Sequence, residues 1–364
     1  MSVISSPAPV PAQQVMYTSL EGTQTSLSGW FTQQNTSGDP PLVDVMVGGQ
    51  LLQKTYPHPA AGSQPPAWKL GCQWLQPLAI GTPIELRFSA TGQRLAATQI
   101  DGRDGQHSMY STAFNYAVFY NPKSACTSLR HLFFALHADE TDSQRADKTI
   151  RSAPAIFPLP KDRSPQFKIN VVRDPYRRLV SAFVDKVASL FYQPTLCTGH
   201  DVYRWRFGHQ TDAWGELTFE DFLDYLTLHR DFSDIHFQTQ PVIAGDVELV
   251  RIEQLEAQLC EVYQRRQPAL LDRVRAFFNS PDARANQSVL AHLSNRVELP
   301  DAHNRPVREL GGIIKSGRGF ASDAFISEAT LPALNALLEC EILAHGYTLR
   351  PMPIANADSA MSHP

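Results

Sequence analysis

No stretch of about 18 apolar residues runs anywhere in the 364-residue chain, so no membrane span is expected. The opening MSVISSPAPVPAQQ has no basic segment followed by an apolar one; neither a secretory leader nor an amino-terminal anchor is read there, and the expected location is cytoplasmic. The five cysteines, Cys72, Cys126, Cys197, Cys260 and Cys340, are widely spaced and form no CxxC pair, which argues against a disulfide framework and a thiolate zinc site. Positive charge is not in excess: 32 Lys and Arg against 36 Asp and Glu give a formal net charge of −4, which argues against a broadly basic nucleic-acid binder. What remains is globular in composition, with 43% apolar and 19% charged residues. Its length fits two domains of roughly 100–200 residues each.

Charge is scarce at first. Residues 1–108 hold 5 Lys/Arg and 6 Asp/Glu, whereas the other 256 residues hold 57 charged side chains. The same segment carries 11 of the 27 prolines, which interrupt helices and favour short strands. Leu42 to Val47 is an apolar, β-branched run, Gly48-Gly49 a two-residue turn, and Gln50 to Tyr56 the returning strand of a hairpin. Gly81-Thr82-Pro83 introduces Ile84 to Phe88, where apolar and charged residues alternate as in a half-buried strand. Short strands of this kind need a second sheet over their apolar faces. The expected division is a flexible tail over 1–15, an all-β sandwich module over 16–108, an α/β domain over 109–350 and a second flexible tail over 351–364.

In the α/β part, Tyr116 to Tyr120 reads as a strand, Asn121 to Cys126 as a loop, and Thr127 to about His137 as a helix. Phe167 to Val172 is a second strand, Arg173-Asp174-Pro175 a turn, and Tyr176 to about Tyr192 a helix. Two strands that each feed a helix predict a parallel sheet flanked by helices, with ligands beyond the carboxyl ends of the strands.

The first loop, Pro122-Lys123-Ser124-Ala125-Cys126-Thr127-Ser128, sits where a helix leaves backbone N–H groups unpaired and a partial positive charge, so it can hold a phosphate. Equally, Ser124 or Thr127 can be a plain helix cap and Lys123 a solvated charge. It lacks the glycines of GxxxxGK[ST], and its lysine comes first. In the second segment Arg173 ends a strand and Ser181 lies eight residues later, so both can meet one anion, arginine through its planar fork of donors. Asp174-Pro175 fits a helix cap with proline at the first position, and Arg177 and Arg178 fit a solvated face.

Together the two segments resemble the sulfotransferases that use 3′-phosphoadenosine 5′-phosphosulfate (PAPS), in particular the family 2 carbohydrate branch with chondroitin and dermatan 4-O-sulfotransferases. That branch has a PKxACT-type loop and an RDPxxRLVSA-type segment, matched here by residues 122–127 and 173–182. Residues 217–226, 234–240, 250–256 and 341–347 are also similar, so the resemblance spans about 114–350. Phe237 and Thr239 depart from the usual HWxPQ pattern, and the cysteines of the secreted members are absent after it.

The resemblance implies a P-loop-like sulfotransferase fold and transfer of a sulfuryl group from PAPS to a hydroxyl of a carbohydrate or glycoconjugate, with no metal. Lys123 would stabilise the leaving oxygen, and residues Ser124, Ala125, Cys126, Thr127 and Ser128 would hold the 5′-phosphate. Arg173 and Ser181 would hold the 3′-phosphate, and His236 would act as general base, with His131, His200 and Glu220 as competitors. Arg177, Arg178, Lys186, Arg204 and Arg206 are read as an acceptor rim, and Trp205 and Trp214 as core or sugar-stacking residues. A kinase-like phosphotransferase and a non-catalytic glycan-binding protein remain as alternatives.

Overall fold

The structure is a computed structural model of the chain and describes residues 15–22, 26–33, 42–55, 58–59, 67–73, 78–79, 81–100, 107–137, 153–160, 164–191, 200–208, 210–228, 236–280 and 297–351. Among these, residues up to Ile100 form one compact unit and those from His107 onward another. The expected tails lie outside the described residues, apart from Val15 and Pro351.

In the first unit every regular element described is a strand: β1 (Val15–Gly22), β2 (Ser26–Gln33), β3 (Val43–Val47), β4 (Gln50–Thr55), β5 (His58–Pro59), β6 (Ala67–Gln73), β7 (Pro83–Phe88) and β8 (Arg94–Gln99). They make two antiparallel four-stranded sheets, ordered β1-β2-β6-β5 and β4-β3-β7-β8. The β3–β4 hairpin turns at Gly48 and Gly49 with φ of +56° and +84°, values that a two-residue hairpin requires and that glycine adopts without strain. Val43 lies opposite Phe88 and Val45 opposite Leu86, all four buried, as strand alternation demands. Tyr56, expected to extend the returning strand, lies outside the described residues.

The second unit holds β9 (Ser108–Ser111), β10 (Tyr116–Tyr120), β11 (Phe167–Val172) and β12 (Val247–Arg251) in one sheet, ordered β12-β11-β10-β9. Its helices are α1 (Cys126–His137), α2 (Ala153–Ile156), α3 (Pro175–Phe183), α4 (His200–Phe207), α5 (Phe219–Leu228), α6 (Leu255–Arg266), α7 (Leu271–Phe278), α8 (Val307–Lys315) and α9 (Leu331–Ala344). A π-helical turn, Val184–Ala188, follows α3 directly. Strands β10, β11 and β12 are parallel, but β9 runs antiparallel to β10, so the sheet is mixed and not wholly parallel. The cause is the connection. Only residues 112–115 join β9 to β10, with Asn115 at φ +51°, and a parallel crossover needs a dozen or more residues.

Strand β10 is buried at all five positions because both faces of the sheet are covered. Tyr116, Val118 and Tyr120 pack with α1, α6 and α7, while Ala117 and Phe119 join Tyr110 and Ile243 opposite. Tyr120 pairs with Val171 and Val172 with Arg251, so the segments after β10, β11 and β12 leave the sheet along one edge. Among the described residues no helix is long and apolar enough to cross a membrane.

Candidate functional site

Between β10 and α1 the chain turns tightly: the Ser124 N–H donates to the Asn121 carbonyl at 3.0 Å. Lys123 and Ala125 take φ of +70° and +57°, a left-handed conformation that costs a non-glycine residue of order 1–3 kcal/mol. The first helical bond of α1 runs from the Leu129 N–H to the Ala125 carbonyl, so the N–H groups of Cys126, Thr127 and Ser128 precede the helical ladder. Ala125, Cys126, Thr127 and Ser128 are all half-buried. Ser124 is fully buried, and its hydroxyl donates to Gln240 Oε1 at 3.0 Å. With its N–H and hydroxyl both committed inside the protein, Ser124 shapes the loop and caps nothing.

Asp174 caps α3, accepting from the N–H groups of Tyr176 and Arg177 at 2.9 and 3.2 Å, with Pro175 opening the helix. Arg173 stands just before it. Its Nη1 donates to the Lys123 carbonyl at 3.0 Å, which joins the two sequence segments directly. Burial lowers the Arg173 pKa, opposed by Glu253 and Asp174. Ser181 is half-buried on α3, two turns from Arg173.

The Lys123 ammonium is paired with Asp185 on the π-helical turn, and Lys186 reaches the same carboxylate oxygen at 3.1 Å. Burial pushes the Lys123 pKa down, and Asp185 opposes it. Burial pushes Asp185 the other way, but the two ammonium groups prevail and hold its carboxyl below the usual range. π-Helical turns inside α-helices recur at functional sites.

His236 is half-buried, and its carbonyl accepts from Arg178 Nη1 at 3.2 Å. That guanidinium corrects the expectation of a solvated arginine face: Arg178 is fully buried and makes a two-pronged pair with Glu341, at 3.2 and 3.1 Å. It faces inward because α3 packs against α9, and the carboxylate that accepts it lies 163 residues away. Arg177 is exposed and pairs with Asp323 at 3.1 Å, and Arg206 with Asp221 at 2.7 Å. The Arg204 and His200 side chains and Asp234 lie outside the description. Glu220 faces His303 Nε2 at 3.4 Å, and His131 is half-buried on α1. Trp214 is buried and stacked on Tyr203 at 5.4 Å, a core role; Trp205 is exposed.

Three residues that sequence reasoning passed over hold this site together. Asp185 lies four residues beyond Ser181, a helical spacing that already placed it on the same face. Gln240 closed the 234–240 segment without a role. Glu341 carried no local sign that it would meet a cation.

Residues 106–277 match the model of the Sulfotransferase family. No curated protein and no solved structure matches the chain. The matched segment contains the loop after β10, the turn before α3, His236 and Gln240, whereas Glu341 lies beyond it.

Proposed function

We propose that this chain, whose residues 106–277 are a sulfotransferase domain of the family 2 type, moves the sulfuryl group of PAPS to a hydroxyl on a carbohydrate or glycoconjugate. The observation that carries the reading is the 3.0 Å bond from Arg173 to the Lys123 carbonyl, which makes one site of two anion-binding segments. A nucleotide with phosphate at both its 5′ and 3′ positions suits such a site. The donor supplies an activated sulfur–oxygen bond, whose cleavage leaves negative charge on the 5′-phosphate.

Lys123 neutralises that developing charge once its ammonium moves from Asp185, and the N–H groups at the start of α1 add a fixed positive field. Arg173 and Ser181 bind the 3′-phosphate. Thr127 and Ser128 offer hydroxyls to the 5′-phosphate, and His236 takes the proton of the attacking acceptor hydroxyl.

Thermal unfolding with 3′-phosphoadenosine 5′-phosphate, compared with ATP plus magnesium, tests the reading. At about 100 times its Kd the bisphosphate should add about 2.7 kcal/mol of stability. Arg173→Ala should abolish the preference for the 3′-phosphorylated nucleotide, and Lys123→Ala should lower turnover more than nucleotide affinity. Stabilisation by ATP and none by the bisphosphate would overturn the proposal. An unchanged kcat in His236→Ala would remove the base assignment alone, and labelled donor offered to a panel of glycans and lipids would identify the acceptor class.

A further inference from the structure

Gln240 has no exposed surface, and its amide uses its full hydrogen-bonding capacity. Its Oε1 accepts from the Arg173 N–H at 2.8 Å and from the Ser124 hydroxyl at 3.0 Å. Its Nε2 donates to the Arg173 carbonyl at 2.8 Å and to Glu341 Oε1 at 2.7 Å. The Gln240 backbone carbonyl takes a further bond of 2.8 Å from His345 Nε2. One side chain thus grips Arg173 on both sides of its backbone, holds the loop after β10 through Ser124, and is anchored by α9 through a carboxylate that Arg178 fixes in turn.

We infer that Gln240 is the positioning residue that sets the separation of the two phosphate-binding segments, and so selects a nucleotide phosphorylated at both 5′ and 3′ positions over one phosphorylated at 5′ alone. The inference rests on the donor reading above. Its physical basis is the buried, saturated amide. No other side chain of this size offers one carbonyl to two donors and one NH2 to two acceptors in this arrangement. Glutamate would turn a lone pair toward the Arg173 carbonyl and a charge toward Glu341, and methionine would fill the volume but make none of the four bonds. A 5′-monophosphate engages only the loop after β10 and is indifferent to the position of Arg173. A bisphosphate needs both segments at one distance. The selection also depends on α9, which lies outside the matched residues 106–277.

Calorimetric titration of the full-length protein with adenosine 3′,5′-bisphosphate and with adenosine 5′-monophosphate tests this. In Gln240→Met the ratio of the two affinities should fall about tenfold or more, mainly through weaker bisphosphate binding, since about 1.4 kcal/mol of lost orientation is a factor of ten. Ser124→Ala removes one of the four bonds and should lower the same ratio about threefold; it decides the matter if Gln240→Met does not fold. A purely structural role would lower the Tm of both variants and leave the ratio within twofold of wild type, and that result overturns the inference. Wild-type protein that shows no preference for the bisphosphate overturns the donor reading, and this inference with it.

Discussion

His107 stands just before β9, its ring stacked on Tyr120 with centroids 5.8 Å apart, and its Nε2 is shut from solvent without a partner among the described residues. Burial, the Arg130 guanidinium and His236 hold its pKa down to about 4. Between about pH 4 and 6.5 the unfolded chain therefore binds a proton here that the folded protein does not, and stability should fall as the pH drops through that window. His345, lowered chiefly by burial, acts in the same direction. Asp185 is depressed, so its contribution is lost only at lower pH. The full His107 effect amounts to roughly 3 kcal/mol at the acid end. Urea titrations from pH 4 to 7 should show a shallower slope in His107→Gln than in wild type, and parallel slopes would mean that His107 does not titrate this way. At this scale the sequence was most informative where chemistry is local. The Asp174 cap and Pro175 helix start were legible from position and type, but Arg178 was misjudged because its partner Glu341 is distant in the chain.

The helix expected from Tyr176 to about Tyr192 begins almost where it should, with Asp174 and Pro175 at its start, but departs from α geometry at Val184. The Ser189 N–H reaches the Val184 carbonyl at 2.9 Å, and apolar periodicity gives no warning of such a register change. The change falls in the turn that presents Asp185 to Lys123. Packing supports that turn closely: a Cβ on Gly311 of α8 would sit 2.7 Å from Phe191 and 2.8 Å from the Ala188 carbonyl. Phe191 can swing away, but the carbonyl is backbone and must shift. Gly311→Ala is expected to cost about 1–3 kcal/mol by overpacking and, on the proposed function, to lower turnover by displacing the Asp185 partner of Lys123. Thermal unfolding and kcat measured together check both effects; an unchanged Tm would show that the turn yields freely.

The two compact units each have a buried core of their own, Val43, Val45, Ile84, Leu86 and Phe88 in the first and the β10–β12 layers with α1, α6 and α7 in the second. Separate cores unfold separately unless coupled, so calorimetry is expected to resolve two transitions, and on the proposed function the bisphosphate should raise only the one belonging to the second unit. A single transition that moves as a whole would contradict this. The net charge of −4 conceals a local excess of seven Lys and Arg over three Asp in residues 161–190, but folding spends part of it: Arg178 is sealed against Glu341, and Lys186 shares Asp185 with Lys123. The sequence alone determined what neighbouring residues decide, namely the Gly48-Gly49 hairpin, strands 116–120 and 167–172 and the Asp174-Pro175 helix start. Only the tertiary structure decided the antiparallel β9 edge, the Lys123–Asp185 pair and the Gln240 junction. The β9 edge follows from the short 112–115 connection and its pairing with β10, whereas the ion pair and the junction depend on groups from 62 to 116 residues apart finding one another, as in Lys123 with Asp185 and Ser124 with Gln240, and no local period or propensity encodes such meetings.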